Sequence, residues 1–239
     1  MADPILLKSD GKLTTITLNR PDVGNRVTNE MLGTLKTMIE GADASRAIVI
    51  RAAGDDFCHG RQLPPATPGQ ILTATEAKTL HAEPVLSLAG AFERAAPPIV
   101  GVVRGKVSGG GCAIAGMCDV TIAADNATFQ LPEMHHGIPP CLAMAALCRR
   151  MPKKSLVHLV YSTEPIDAAT AFALGLVSKV VPLAKLDAEA DALIDKLTHY
   201  AQPATQAVKL YMRSAPYLDL GAAADLAGNL LSNVVSSQR

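Results

Sequence analysis

The stretch richest in chemistry in this 239-residue chain is Gly101-Val-Val-Arg-Gly105-Lys-Val-Ser-Gly109-Gly-Gly-Cys-Ala-Ile-Ala-Gly116-Met-Cys-Asp119. An apolar run of strand character enters three consecutive glycines, and small residues of helical character follow. Glycine lets a backbone approach another atom closely and adopt positive φ. The first N–H groups of a helix have no intrahelical acceptor, so a helix starting here favours an anion. A tight strand–helix joint accounts for the same glycines, and the run alone does not separate the two readings. Neither Gly-x-x-x-x-Gly-Lys-Ser/Thr nor G-x-G-x-x-G occurs, so this is not a known nucleotide loop.

Other reactive residue types are scattered. Cys58, Cys112, Cys118, Cys141 and Cys148 are odd in number and lack C-x-x-C spacing. This points away from disulfides and from a metal site, and towards a reducing, cytoplasmic setting with most thiols as small core hydrophobes. His59, His135 and His136 are either auxiliary acids or bases near neutral pH or plain loop and interface histidines. Glu76, Glu83 and Glu93 fall on helical patterns and read as solvated face, unless one serves as an acid from an unexpected element.

The elements that must position these groups alternate short apolar runs with helical stripes. Residues 5–8 and 13–18 flank Ser9-Asp-Gly-Lys12, which predicts a hairpin. Met31, Leu32, Leu35, Met38 and Ile39 mark one face of a helix. Residues 47–50 and 99–103 read as buried strands, with a loop over 52–69 and a helical stretch that Pro84 must interrupt or kink between them. Strands are expected at 120–123 and 127–130. Past residue 140 only 177–181 reads as a strand. Leu186, Ala190, Leu193, Ile194 and Leu197 form a helical stripe, and Pro203 suits the first turn of the next helix. The expected organisation is a core of ββα units over residues 1–185 and a helical region over 186–239.

Composition excludes several classes. Apolar residues are 49% and charged residues 18%, too apolar for a disordered chain. Lys plus Arg and Asp plus Glu are both 22, and without a basic run nucleic acid is not an expected partner. No apolar run reaches the roughly 18–20 residues of a membrane span, and residues 1–10 lack a basic segment followed by an apolar one, so no secretory signal is expected.

Five pieces in order resemble the crotonase (enoyl-CoA hydratase/isomerase) superfamily. They are Leu18-Asn-Arg-Pro21 with Asn25, Gly54-Asp-Asp-Phe57-Cys-His-Gly60-Arg-Gln-Leu63, Gly109-Gly-Gly-Cys112 through Cys118-Asp119, Phe129-Gln-Leu-Pro-Glu133 with Gly137 and Pro140, and Ala173-Leu-Gly-Leu-Val177. The resemblance implies an α/β fold, a spiral of ββα units with a helical C-terminal trimerisation region. It also implies a homo-trimer or hexamer acting on an acyl-CoA thioester, with no cofactor beyond the coenzyme A of the substrate. By position, the backbone N–H groups of Arg61 and Gly110 would hold the thioester oxygen, and Gly60, Gln62, Leu63 and Gly109 would line the substrate.

Arg61 stands where the family has a small residue. Its guanidinium would alter substrate choice or reach a CoA phosphate, or else turn to solvent. The family's two carboxylates fall on Ala113, immediately after the Gly-Gly-Gly-Cys run, and on Glu133, so only Glu133 remains as an acid or base. That pattern resembles the single-glutamate enoyl-CoA isomerases, and Cys141-Leu-Ala-Met144 is bulkier than the family's Gly-rich turn, where a water would need room. Alternatives are hydration or dehydration with a substitute acid, decarboxylation with Arg61 meeting a carboxylate, and a non-catalytic acyl-CoA-binding subunit. The chain ends soon after a helical pattern over 222–234, short of the closing helix of many relatives.

Overall fold

The computed structural model describes residues 2–65, 69 and 71–237. The hairpin forms as expected: β1 (Ile5–Ser9) and β2 (Leu13–Leu18) pair antiparallel, and Asp10 Oδ1 accepts from the Lys12 and Leu13 N–H groups to close the turn. The chain then enters α1 (Asn29–Glu40), capped by the Thr28 hydroxyl, which accepts from the Met31 N–H. β3 (Ala47–Ala52) returns parallel to β2. A capping box on Thr73 and Glu76 starts α2 (Ala74–Ala77), and a π-helical turn (Lys78–Ala82) leads into α3 (Glu83–Arg94). Pro84 therefore sits in the first turn of α3, where its missing N–H is tolerated, and the π turn absorbs the interruption.

The middle of the chain alternates strands with short helices. β4 (Ile99–Val103), β5 (Lys106–Ser108), α4 (Gly110–Met117), β6 (Val120–Ala124) and β7 (Thr128–Gln130) follow. Next come α5 (Cys141–Leu147), α6 (Lys153–Ser162), β8 (Ile166–Asp167), α7 (Ala168–Ala173) and β9 (Lys179–Val181). Three helices end the chain: α8 (Leu186–His199), α9 (Gln202–Ser214) and α10 (Leu220–Ser237).

The main sheet has the order β1-β2-β3-β4-β6-β9, parallel from β2 onward. Its central strands β3 and β4 read as continuous apolar runs because both of their faces are covered. On one face Ile48, Ile50 and Ile99 pack with Leu35 and Ile39 of α1, Leu88 and Phe92 of α3, and α4. On the other, Val49, Val100, Val102 and Ile122 meet Leu186, Ala190 and Ile194 of α8. A second sheet, β5-β7-β8, corrects the sequence reading, which had no strand at 106–108 and only one past residue 140.

Candidate active site

The loop after β3 is built from its ends inward. Asn25 is fully buried at φ 53°, and its Nδ2 donates to the carbonyls of Ala53 and Asp56, both at 2.8 Å. The Asn-Arg-Pro element with Asn25 thus ties β2 to this loop. Phe57 and Cys58 donate to Arg104 and Lys106 carbonyls, laying the loop along β5. Val27 N–H then donates to Gly60 O at 3.0 Å, and Gln62 N–H to Val27 O at 2.9 Å. This is a parallel bridge between Val27 and Arg61. Because Val27 takes the flanking groups, the Arg61 N–H points the other way, and among the described residues it has no acceptor.

What it points towards is the glycine run. Gly109, at φ 50°, donates to Gln130 O at 2.9 Å and turns the chain into α4. Gly110 opens the helix with a first-turn N–H that also lacks an acceptor among the described residues. A Cβ placed on Gly110 would lie 3.6 Å from the Arg61 nitrogen, so the two N–H groups are neighbours. Gly111 serves the other reading of the run, since a Cβ there would collide with the Cys58 carbonyl. Close packing and a free pair of donors therefore coexist in three consecutive glycines.

Glu133 begins a short 3-10 turn (Glu133–His136) that ends at Gly137 in the left-handed region. A Cβ at Gly109 would stand 2.7 Å from Glu133 Oε1, which puts the carboxylate against the glycine run. Glu133 Oε2 is buried without a hydrogen-bond partner among the described residues. Burial pushes the carboxyl pKa above its ordinary value, opposed by its own backbone N–H and by the nearby His136. A carboxylate so held is a proton acceptor with unused capacity beside two unused donors. Such an arrangement can hold an anionic oxygen while a neighbouring carbon loses or gains a proton.

The remaining candidates fall differently. Gly60, at φ 107°, is buried against Ser108 O, next to the Gly110 nitrogen. Gln62 does not stand free, because its Oε1 accepts from both Arg20 terminal nitrogens at 3.2 Å. Leu63 is exposed. Ala113 is buried in α4. His59 is held by Asp56 Oδ2 at 2.8 Å, and His135 and His136 are exposed. Glu76, Glu83 and Glu93 are exposed too, as the helical pattern implied.

Neither expectation for the Arg61 side chain holds. It is neither turned to solvent nor free to meet a ligand, since it binds Asn29 and the carbonyls of Leu80 and His81. Asn29 and the π turn were not legible as site elements; Pro84, which strips a donor from the carbonyl four residues before it, was the available signal. Cys58 and Cys118 are buried neutral thiols, their pKa raised by burial to about 11 and about 12. Among the described residues no group of three His, Cys, Asp or Glu could hold a metal, and no helix is long and apolar enough to cross a membrane.

With this geometry in hand, comparison with known proteins is decisive about kinship. Residues 8–239 match the model of the enoyl-CoA hydratase/isomerase family. The chain belongs to that family. Within it, this enoyl-CoA hydratase/isomerase homologue is 29% identical over 217 residues to human enoyl-CoA hydratase domain-containing protein 3, mitochondrial, covering 88% of this chain and 70% of the relative. It is 31% identical over 212 residues to the crotonyl-CoA hydratase of Syntrophomonas wolfei, covering 86% and 79%. A Thermobifida fusca YX family member solved in complex with CoA superposes with a TM-score of 0.86 at 28% identity, over 98% of this chain and 94% of that one. The crotonase-like α/β fold inferred from the sequence pieces is thus the fold of the molecule.

Proposed function

We propose that this chain moves the double bond of an enoyl-CoA, with Glu133 as the shuttling base and the Arg61 and Gly110 N–H groups holding the thioester oxygen. Starting from a 3-enoyl-CoA, the Glu133 carboxylate takes a proton from C2 and the electron pair moves onto the thioester oxygen. The resulting dienolate is stabilised by the two donors, each commonly contributing about 3–4 kcal/mol. Protonated Glu133 then returns the proton to C4, the double bond settles between C2 and C3, and the carboxylate is regenerated. The reaction requires no cofactor beyond the coenzyme A of the substrate, and Gly60, Leu63 and Gly109 line the acyl group.

The observation that carries this reading is the pairing of Glu133, desolvated and with an unpartnered oxygen, with a buried methyl at Ala113. Hydration divides its work between two carboxylates, whereas isomerisation needs one. The unpartnered oxygen also argues for catalysis over mere binding. Arg61, committed to neutral oxygens, is not disposed to receive a substrate carboxylate, which disfavours decarboxylation. Hydration is the second reading, favoured by the names of the human and Syntrophomonas relatives. Purified protein assayed against a panel of 2-enoyl- and 3-enoyl-CoAs separates the two. Rapid hydration of crotonyl-CoA, unaffected by Glu133→Gln, would overturn the isomerase reading.

The acyl-CoA substrate is supported by the CoA bound in the Thermobifida neighbour. A homo-trimer or hexamer fits the exposed apolar side chains of α9 and α10, with Val208 66%, Leu231 65% and Leu220 88% exposed. All five cysteines are unpaired, in keeping with a reducing compartment such as the cytoplasm.

A further inference from the structure

Arg61 is joined to the turn that precedes Pro84 by hydrogen bonds that the reaction above does not use. Pro84 has no N–H, so the carbonyl of Leu80, four residues earlier, loses its α-helical donor. The chain accommodates this with the π turn, in which the Glu83 N–H reaches back to Lys78 O. The stranded Leu80 carbonyl accepts instead from Arg61 Nη2 at 3.1 Å and from Asn29 Nδ2 at 2.9 Å. Arg61 Nη1 donates to the His81 carbonyl, and Arg61 Nε and Nη2 both donate to Asn29 Oδ1, at 3.1 and 2.5 Å. Four contacts from the guanidinium thus go to three neutral oxygens.

No carboxylate is ion-paired with Arg61 among the described residues, and burial alone lowers its pKa without removing the charge. A half-buried cation held only by carbonyl and amide oxygens is costly to keep, so a role is expected of it. Its own backbone N–H is the free donor facing Gly110. The guanidinium therefore anchors that residue on two sides, to the first turn of α1 through Asn29 and to the turn before α3 through Leu80 and His81. Only a planar fork reaches all three oxygens together, and an ammonium does not.

We propose that the Arg61 side chain is a positioning residue, whose clamp on Asn29 and the Leu80 and His81 carbonyls aims the Arg61 N–H at the thioester oxygen. The inference rests on Arg61 and Gly110 being the pair that holds that oxygen. Substrate binding is shared with many other contacts, so loosening the clamp acts on the transition state more than on affinity.

The test compares Arg61→Met, Arg61→Lys and Asn29→Ala with the parent, by steady-state kinetics and by the Raman carbonyl stretch of a bound 2-enoyl-CoA. A misplacement of about 1 Å costs on the order of 10²-fold. The expected result is a kcat lower by about 10- to 100-fold in all three variants, a KM within about threefold, and a carbonyl shift at least half lost. Asn29→Ala leaves Arg61 its two backbone carbonyls, and it carries the test if Arg61→Met does not fold. A parent carbonyl shift that persists in Arg61→Met or Asn29→Ala, with kcat within twofold, would overturn the role of the side chain alone. A parent that binds the enoyl-CoA with no carbonyl shift would instead overturn the oxygen-holding pair and this role with it.

Discussion

Glu133→Gln is expected to inactivate the protein and to stabilise it. Glu133 Oε2 is buried with no partner among the described residues, and burial raises the carboxyl pKa. A buried polar group left unpaired costs about 1–3 kcal/mol, and the half-buried setting of Glu133 favours the lower end, about 1 kcal/mol. Gln leaves a neutral amide equally unpaired but removes the charge, whose burial costs more than that of a neutral group, so about 1 kcal/mol of stability returns at alkaline pH. For a chain of this length 1 kcal/mol moves Tm by roughly 2–4 °C. In the unfolded chain Glu133 titrates near 4.5 and in the folded chain above it. A raised folded pKa means the native state favours the proton. The parent is therefore unpenalised below pH 4.5 and loses stability as pH rises through the folded pKa.

Melting curves should accordingly show Glu133→Gln about 2–4 °C above the parent at pH 8, with the difference closing towards pH 4. In parallel, isomerisation and C2 proton exchange should fall by at least about 10²-fold. Parent turnover should fade on the acid side with a midpoint above 4.5, since the base must be ionised. A variant that melts below the parent at pH 8, or by an offset that ignores pH, would refute the desolvation argument.

Gly110→Ala should fold, because its methyl meets nothing closer than 3.6 Å, yet it stands against the Arg61 nitrogen. Loss of about 10²–10³ in kcat is expected, and full activity in the folded variant would end the assignment of this pair. Ala113→Glu is expected to gain hydration of a 2-enoyl-CoA, read by loss of enoyl absorbance. It should also lower stability by about 1–3 kcal/mol, since the site is buried. Leu231→Lys, on the exposed face of α10, should lower the mass found by light scattering, and a parent sedimenting as a single chain would count against the oligomer.

Long periodic elements were readable because their signal is local. The α1 stripe and the buried runs of β3 and β4 carry enough side chains to declare a face. β5 and β8 have three and two residues and exist only because distant backbone meets them. Val107 bridges Cys58, and Asp167 pairs with Thr128. The position of Glu133 followed from family resemblance, but its unpartnered oxygen needed coordinates. The side chain of Arg61 was the least legible. Both sequence readings gave it a ligand or water, whereas its partners are a helix-start amide, the His81 carbonyl, and a Leu80 carbonyl that a proline 23 positions after Arg61 strips of its helical donor.

The two free donors arise where hydrogen-bonding patterns stop. Val27 uses Gly60 O and Gln62 N–H, and a strand's alternation then forces the Arg61 N–H outward. Gly110 is the first residue of α4, so its N–H precedes the helical ladder. Gly109 has positive φ, and Gly111 lies too close to the Cys58 carbonyl to carry a side chain. Those two glycines fix the turn, while Gly110 between them has room for a methyl. Its glycine is therefore demanded by the space in front of the donors and not by the backbone. With the half-buried Glu133 carboxylate alongside, three polar groups that lack partners among the described residues share one place. Separately each costs stability. On the function proposed above, one ligand would answer all three: a thioester oxygen for the donors, and an acidic C–H for the carboxylate.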